Sequence, residues 1–198
     1  MQQVETSTDA GRRAAGFFRA LMLAIASASI SFVLVLEPAM AQSHPELEAN
    51  ARGALMNLTS TVPAARILEG RAVAVLVFPD ITKAGFLIGG EYGNGVMFQR
   101  GRVAGFYNTA GVSYGLQAGA QTFGYAMFFM NERALQALNA TEGLQVGVGP
   151  SVVVMDNGMA RSVTSDTLTQ DVYAFIFGQQ GLMAGVGLEG TKITKLNR

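Results

Sequence analysis

Three cations bracket one glycine-rich stretch of this 198-residue chain: Lys83 on one side, Arg100 and Arg102 on the other. Between them, glycines 85, 89, 90, 93 and 95 interrupt the strand formers Phe86, Leu87, Ile88, Tyr92, Val96 and Phe98. Asn94-Gly95 is a strong type I′ hairpin signal, because both central residues must tolerate positive φ. The spacing therefore predicts an antiparallel pair turning near Asn94, with Lys83, Arg100 and Arg102 sharing one edge. Such a cluster suits phosphate or a lipid head group. It is equally an ordinary way to protect an edge strand. A second polar set, Ser113, Gln117 and Gln121, falls on one face of a run of period-two alternation. That face either lines a pocket or meets water.

Other chemistry is thinly supplied. The chain has no cysteine, which excludes disulfides, thiol catalysis and cysteine-ligated zinc. Its one histidine, His44, excludes histidine-based triads and multi-histidine metal sites. No metal or cofactor is expected. Gly185-Val-Gly-Leu-Glu-Gly190 matches G-x-G-x-x-G, but a dinucleotide site needs a helix after it and an acidic residue about 20 positions on. Glycines in a curved strand explain it better. Gly149-Pro150-Ser151 is not a nucleophile elbow. Asp80, Glu91, Asp156, Asp166, Asp171 and Glu189 offer carboxylates, yet most fall at predicted turns, where Asp has a turn role. The chain is expected not to be an enzyme.

The elements that must position these groups begin near residue 42. Ahead of it, Arg12-Arg13, an apolar run from Ala20 to Leu36, and Pro38-Ala39-Met40-Ala41 have the layout of a secretory signal. The paired arginines are similar to those of a twin-arginine signal. Residues 1–41 are therefore expected to be a signal peptide cleaved after Ala41, the alternative being a retained anchor, with 42–198 as one domain. Removing Arg12, Arg13, Arg19, Glu5, Asp9 and Glu37 leaves 11 basic and 11 acidic residues, a balance without the basic footprint of nucleic-acid binding. The expected location is the periplasm or cell envelope.

Ser43 and Glu46 fit a capping box, and Leu47, Ala51, Ala54, Leu55, Leu58 and Val62 recur at helical spacing to about Thr59. That helix either packs on the domain or touches lipid through its leucines, with Arg52 on its polar face. Pro63 opens a second short helix, Ala64 to Glu69. Ala72–Phe78 reads as a strand buried on both faces. Val112–Met130 is the longest β-like run and turns apolar on both faces after Gln121. Asn131 caps a helix through about Asn139, with Ala134, Leu135 and Leu138 inward. Val146–Met155 follows as a strand, then a turn at Asp156-Asn157-Gly158. A last hairpin pairs Val172–Phe177 with Leu182–Leu188 through a turn at Gly178–Gly181. The expected class is α+β: a glycine-rich, strongly curved antiparallel sheet or barrel-like core, with N-terminal helices and one mid-chain helix.

Six blocks in order carry a resemblance. They are Val77-Phe78-Pro79; Lys83-Ala84-Gly85-Phe86; Gly89-Gly90-x-Tyr92-Gly93-x-Gly95-Val96; Ser113-Tyr114-Gly115-x-Gln117-x-Gly119-x-Gln121; Val148-Gly149-Pro150; and Gly181-Leu182-x-Ala184-Gly185-x-x-Leu188-x-Gly190. On these, residues 42–193 resemble the SYLF domain, in its secreted bacterial branch. The resemblance implies membrane-lipid binding without catalysis, phosphoinositides being the ligands of eukaryotic members. It also implies contact through the N-terminal helix, whose only basic residue here is Arg52. An exported protein would meet anionic phospholipids such as phosphatidylglycerol or cardiolipin. The expected lipid-binding residues are Lys83, Arg100, Arg102 and Arg52. The alternative is a structural or protein-interaction module of the envelope, binding a protein partner through the Gln117/Gln121 face.

Overall fold

The computed structural model describes residues 43–140, 143–146, 150–155, 168–181 and 190–196, without the side chains of 86, 87, 113–118 and 181. The expected signal segment, the Asp156–Gly158 turn and Leu182–Leu188 lie outside the described residues. Two helices open the domain: α1 (His44–Thr61) and α2 (Pro63–Glu69). Ser43 stands at the N-cap of α1, but its side chain makes no capping hydrogen bond. His44 instead stacks its ring on Phe106 at 4.0 Å.

Two very long strands follow, β1 (Ala74–Gln99) and β2 (Arg102–Phe129), paired antiparallel along their whole length. After them come α3 (Glu132–Leu138), β3 (Leu144–Gln145), β4 (Val152–Met155), β5 (Val172–Gly181) and β6 (Lys192–Lys195). The free edge of β2 takes β5 against Gln121–Phe129 and β6 against Tyr107–Ala110. The class is α+β, as expected. The sheet, however, is mixed rather than antiparallel, because β4 runs parallel to β5.

The expected turn near Asn94 is not there. Asn94 faces Asn108 in mid-ribbon, and the chain reverses instead at Arg100-Gly101, between the partners Gln99 and Arg102. Both turn residues have positive φ, 50° and 74°, as a two-residue hairpin of this twist demands. Gly93 and Gly95 serve a different purpose. A Cβ at Gly93 would lie 2.7 Å from Ile81 Cγ1, and one at Gly95 would lie 2.7 Å from Phe78 Cδ1. The second half of β1 therefore lies directly on its first half.

The ribbon reaches that contact by bending. Phe86 pairs with Ala118 but Ile88 with Tyr114, so β2 carries two extra residues at the bend. Beyond it, β2 also meets itself: Tyr125 Oη donates to Thr109 Oγ1 at 2.8 Å, although 16 residues separate them in one strand. The strand predicted at Ala72–Phe78 and the glycine-rich segment are thus one continuous, coiled strand.

Coiling creates two apolar layers. Inside the curl, Leu76, Phe78, Ile81, Met97, Phe123, Tyr125, Met127 and Phe129 pack with Leu138 of α3 and Ile193 of β6. Outside it, α1 and α2 lay Leu47, Ala51, Leu55, Leu58 and Leu68 on Val75, Val77, Val96, Phe98, Phe106 and Phe128. The far end of β2 lies between both layers, which is why Phe123–Phe129 is apolar on both faces. Asn131 caps α3 as predicted, accepting from Ala134 N–H at 2.9 Å. The turn predicted at Gly178–Gly181 is instead a bulge within β5: pairing stops at Phe177 with Gly124 and resumes at Gln180 with Thr122, and Gly178 has φ 63°.

Candidate functional site

Arg52 is the residue that joins helix to hairpin. It lies on the polar face of α1, anchored by Glu48 four residues before it at 2.9 Å. Its Nη1 donates to the Gly101 carbonyl at 3.1 Å, and its guanidinium lies 4.8 Å from the centre of the Phe98 ring. One arginine thus fixes the tip of the ribbon against the helix. Beside this contact opens a cleft of about 610 Å³, with Arg52, Leu55, Met56 and Thr59 of α1 on one wall. Phe98, Arg100 and Gly101 of the hairpin line it, and Val75, Ala72, Gly70 and Glu69 complete it.

The cleft has an amphiphile's requirements. Leu55, Met56, Val75 and Phe98 provide apolar surface, and Arg52 and Arg100 provide cations. Glu69 is the one carboxylate in the lining, suited to accept from a hydroxyl or ammonium. Arg100 occupies the left-handed region with φ 50°, a conformation that asparagine or glycine adopts at lower cost. Strained backbone of this kind concentrates at functional sites.

The structure brings together three of the four expected cations. Arg52 and Arg100 share the cleft, and exposed Arg102 adjoins it as the first residue of β2. Lys83 is elsewhere. It pairs with Gln121, 17 residues along β1 from the turn, and it is buried inside the curl. The expected shared edge rested on a turn at Asn94 and disappears with it. Gln121 is buried too, so it presents no solvated face to a partner. Ser113 pairs with Gly89, and Gln117 falls in the bulge; their side chains lie outside the described residues. Leu47, Leu55 and Leu58 are buried under α1, which therefore packs on the domain; the exposed apolar residue of that helix is Met56, and Leu55 still lines the cleft.

Phe98, Val75 and Glu69 were not legible as site residues, because only the docking of α1 over the ribbon tip assembles them. Two of the candidate carboxylates, Glu91 and Asp171, have structural partners. Glu91, inside the curl, accepts from Thr191 Oγ1 at 2.7 Å. Burial, and then the charge of Glu91, push the Tyr125 hydroxyl far above its ordinary range, despite its bond to Thr109. Burial also raises the Tyr107 hydroxyl, which donates to Asn139 Oδ1 at 2.6 Å. Asp171 accepts from Asn131 at 2.7 Å, from Arg133 at 3.1 Å and from the Ser151 N–H at 3.2 Å, and these bonds lower its carboxyl to about 2. It ties the start of α3 to β4 and β5. Among the described residues no helix is long and apolar enough to cross a membrane.

Residues 110–198 match the model of the Ysc84 family, described as Las17-binding protein actin regulator, in agreement with the resemblance to the SYLF domain. The match runs from Ala110, within the first half of β2, to Arg198. The family suggests a lipid-binding or actin-regulator-like module and is generally non-enzymatic. No curated protein matches the chain.

Proposed function

We propose that this domain is a non-enzymatic, exported module that docks on the surface of an anionic phospholipid membrane of the cell envelope. The head-group phosphate sits between Arg52 and Arg100, with Arg102 adding charge at the rim. The upper part of the lipid lies against Phe98, Val75, Leu55 and exposed Met56. The observation that carries this reading is the convergence of two arginines from separate elements on one cleft with apolar walls. Glu69 favours a head group that also carries a donor, such as the hydroxyls of glycerol. Neutral net charge makes the attraction local rather than global.

The test is co-sedimentation of residues 42–198 with phosphatidylglycerol against phosphatidylcholine vesicles, at low and high salt. Binding should require the anionic lipid and weaken with salt. A basic residue near a membrane surface contributes about 1 kcal/mol, so Arg52→Ala with Arg100→Ala should weaken binding by roughly 30-fold. Unchanged binding by the double variant rejects the cleft. A second reading, a protein-interaction module, is favoured by Ile88, Tyr92 and Val112, which stand exposed on the ribbon. They fall on alternate rows of the β1–β2 pairing, Ile88 with Tyr114, Gly90 with Val112 and Tyr92 with Ala110, and so on one face. Envelope pull-down lost in Ile88→Asp with Val112→Asp, alongside absent vesicle binding by the unmodified domain, would select it.

A further inference from the structure

Met56 differs from the other methionines among the described residues. It is 71% exposed, whereas Met97, Met127 and Met155 are buried at 1%, 0% and 6%, and Met130 is half-buried. It follows Arg52 by four residues on α1, as Arg52 follows Glu48, so the three side chains form one row along the helix. Met56 and Arg52 line the same cleft, with Phe98 and Arg100 across from them. Arg52 is already engaged on its Glu48 side: Nε donates to Glu48 Oε1 at 2.9 Å, and Nη2 lies 2.9 Å from the same oxygen. Nη1 donates to the Gly101 carbonyl at 3.1 Å. A guanidinium carries five N–H groups, so an incoming phosphate must use the remainder. Met56 stands on the other side of Arg52 in the row.

A thioether is apolar and polarizable, and its sulfur is open to two-electron oxidation. A sulfur that solvent reaches is also reached by hydrogen peroxide, while those in the core are shielded. The sulfur lone pair attacks one peroxide oxygen and the O–O bond breaks. An S–O bond forms, the proton on that oxygen passes to the departing hydroxide, and water leaves. Sulfur loses two electrons and the peroxide gains them. The product is polar and carries an acceptor oxygen where the thioether gave apolar surface. We infer that Met56 is an oxidation site that switches off membrane docking: its sulfoxide removes apolar contact from the cleft, and the new oxygen, one helical turn from Arg52, takes N–H groups that a phosphate needs. Because the switch acts on the Arg52/Arg100 cleft, it presupposes lipid docking there. A thiol-dependent sulfoxide reductase reverses it, the oxygen leaving as water while two thiols close to a disulfide.

The experiment is graded hydrogen peroxide treatment of the protein, followed by peptide mass spectrometry and sedimentation with phosphatidylglycerol vesicles. Met56 should gain oxygen before Met97, Met127, Met130 and Met155. Protein oxidised at Met56 should bind about 10-fold more weakly than before treatment, the scale of one methionine side chain's apolar contact. Sulfoxide reductases for both epimers, with dithiothreitol, should restore binding. Met56→Leu, compared with itself before and after peroxide, should show no loss. Met56→Gln should bind at the oxidised level without peroxide. Thermal melts of oxidised and untreated protein should coincide, since Met56 lies outside the core; a lower melt accompanying the lost binding would make the effect one of unfolding and overturn the inference. Equal loss in Met56→Leu overturns it, as does earlier oxidation of the core methionines. Untreated protein that fails to sediment with the vesicles overturns the cleft reading and the switch with it. Untreated protein that sediments, and still does so equally once Met56 is oxidised, overturns the switch alone.

Discussion

Replacing Gly95 by alanine tests the self-contact of the ribbon with a single methyl group. The new Cβ would meet Phe78 Cδ1 at 2.7 Å, Phe78 Cε1 at 2.8 Å and the Val77 carbonyl oxygen at 2.8 Å. Carbon atoms rest about 3.5–4.0 Å apart, so the two halves of β1 must separate by about 0.8–1.3 Å. Phe78 cannot yield easily: it is fully buried and its ring lies 4.7 Å from that of Tyr125. Overpacking of this sort costs about 1–3 kcal/mol. Against it stands about 0.5–1 kcal/mol from the reduced freedom of the unfolded chain. The net loss is about 1–2 kcal/mol, or a Tm lower by roughly 2–8 °C for a domain of this size. Gly53→Ala is the matched control. It makes the same chemical change inside α1, where nothing lies within 4 Å of the added methyl. There alanine should stabilise by about 1 kcal/mol and raise Tm by roughly 2–4 °C. Scanning calorimetry of both variants should show opposite signs. If Gly95→Ala also raised Tm, the halves of the ribbon would not be in contact and the coiled description would fall.

Two other outcomes follow from the site's surroundings. The Asp171 carboxyl is held down at about 2 in the folded state, against 3.8 as its ordinary value. The folded protein therefore binds this proton less readily than the unfolded chain, so the carboxylate's contribution is complete above about pH 4 and is lost as pH falls through about 2. Urea midpoints should separate the parent from Asp171→Asn near neutrality and converge below pH 2.5; a constant gap would exclude Asp171 as the acid-sensitive tie. Arg100→Asn should relieve the left-handed strain and stabilise by about 0.5–1 kcal/mol, measurable as a Tm higher by roughly 1–4 °C. The same variant should bind anionic vesicles more weakly, and a lower Tm would show that the arginine side chain holds the turn together.

Local signals carried much of the fold. The apolar run at Ala72–Phe78, the cap at Asn131 and the proline opening the second helix each act within a few residues. Periodicity alone settles such features. Asn94-Gly95 failed because a glycine permits two things, positive φ and close approach, and only the coiled ribbon reveals that the second applies. Lys83 was misplaced for a related reason. It has the same parity as Ile81, which buries it inside the curl, but a lysine is rarely buried and its charge pointed outward. Arg52 was legible as a candidate from its place on the polar face of α1. Its meeting with Arg100 depends on where that helix lies over the ribbon tip, which no local pattern encodes.

The end-to-end antiparallel pairing of β1 and β2 also dictates an order of assembly. The first pair to form, Gln99 with Arg102, closes the shortest possible loop, whereas the last, Ala74 with Phe129, spans 55 residues. Each added pair extends a loop already closed, so loop entropy grows slowly as the ribbon zips from Arg100-Gly101 outward. The bond from Tyr125 to Thr109 cannot form until the zipper has passed the bend at Phe86–Ile88. Folding should thus nucleate at the tip, the same turn that carries Arg100, and condense only when the ribbon coils. Mutations at Arg100 or Gly101 should slow refolding, while those at Gly93, Gly95 or Tyr125 should chiefly speed unfolding.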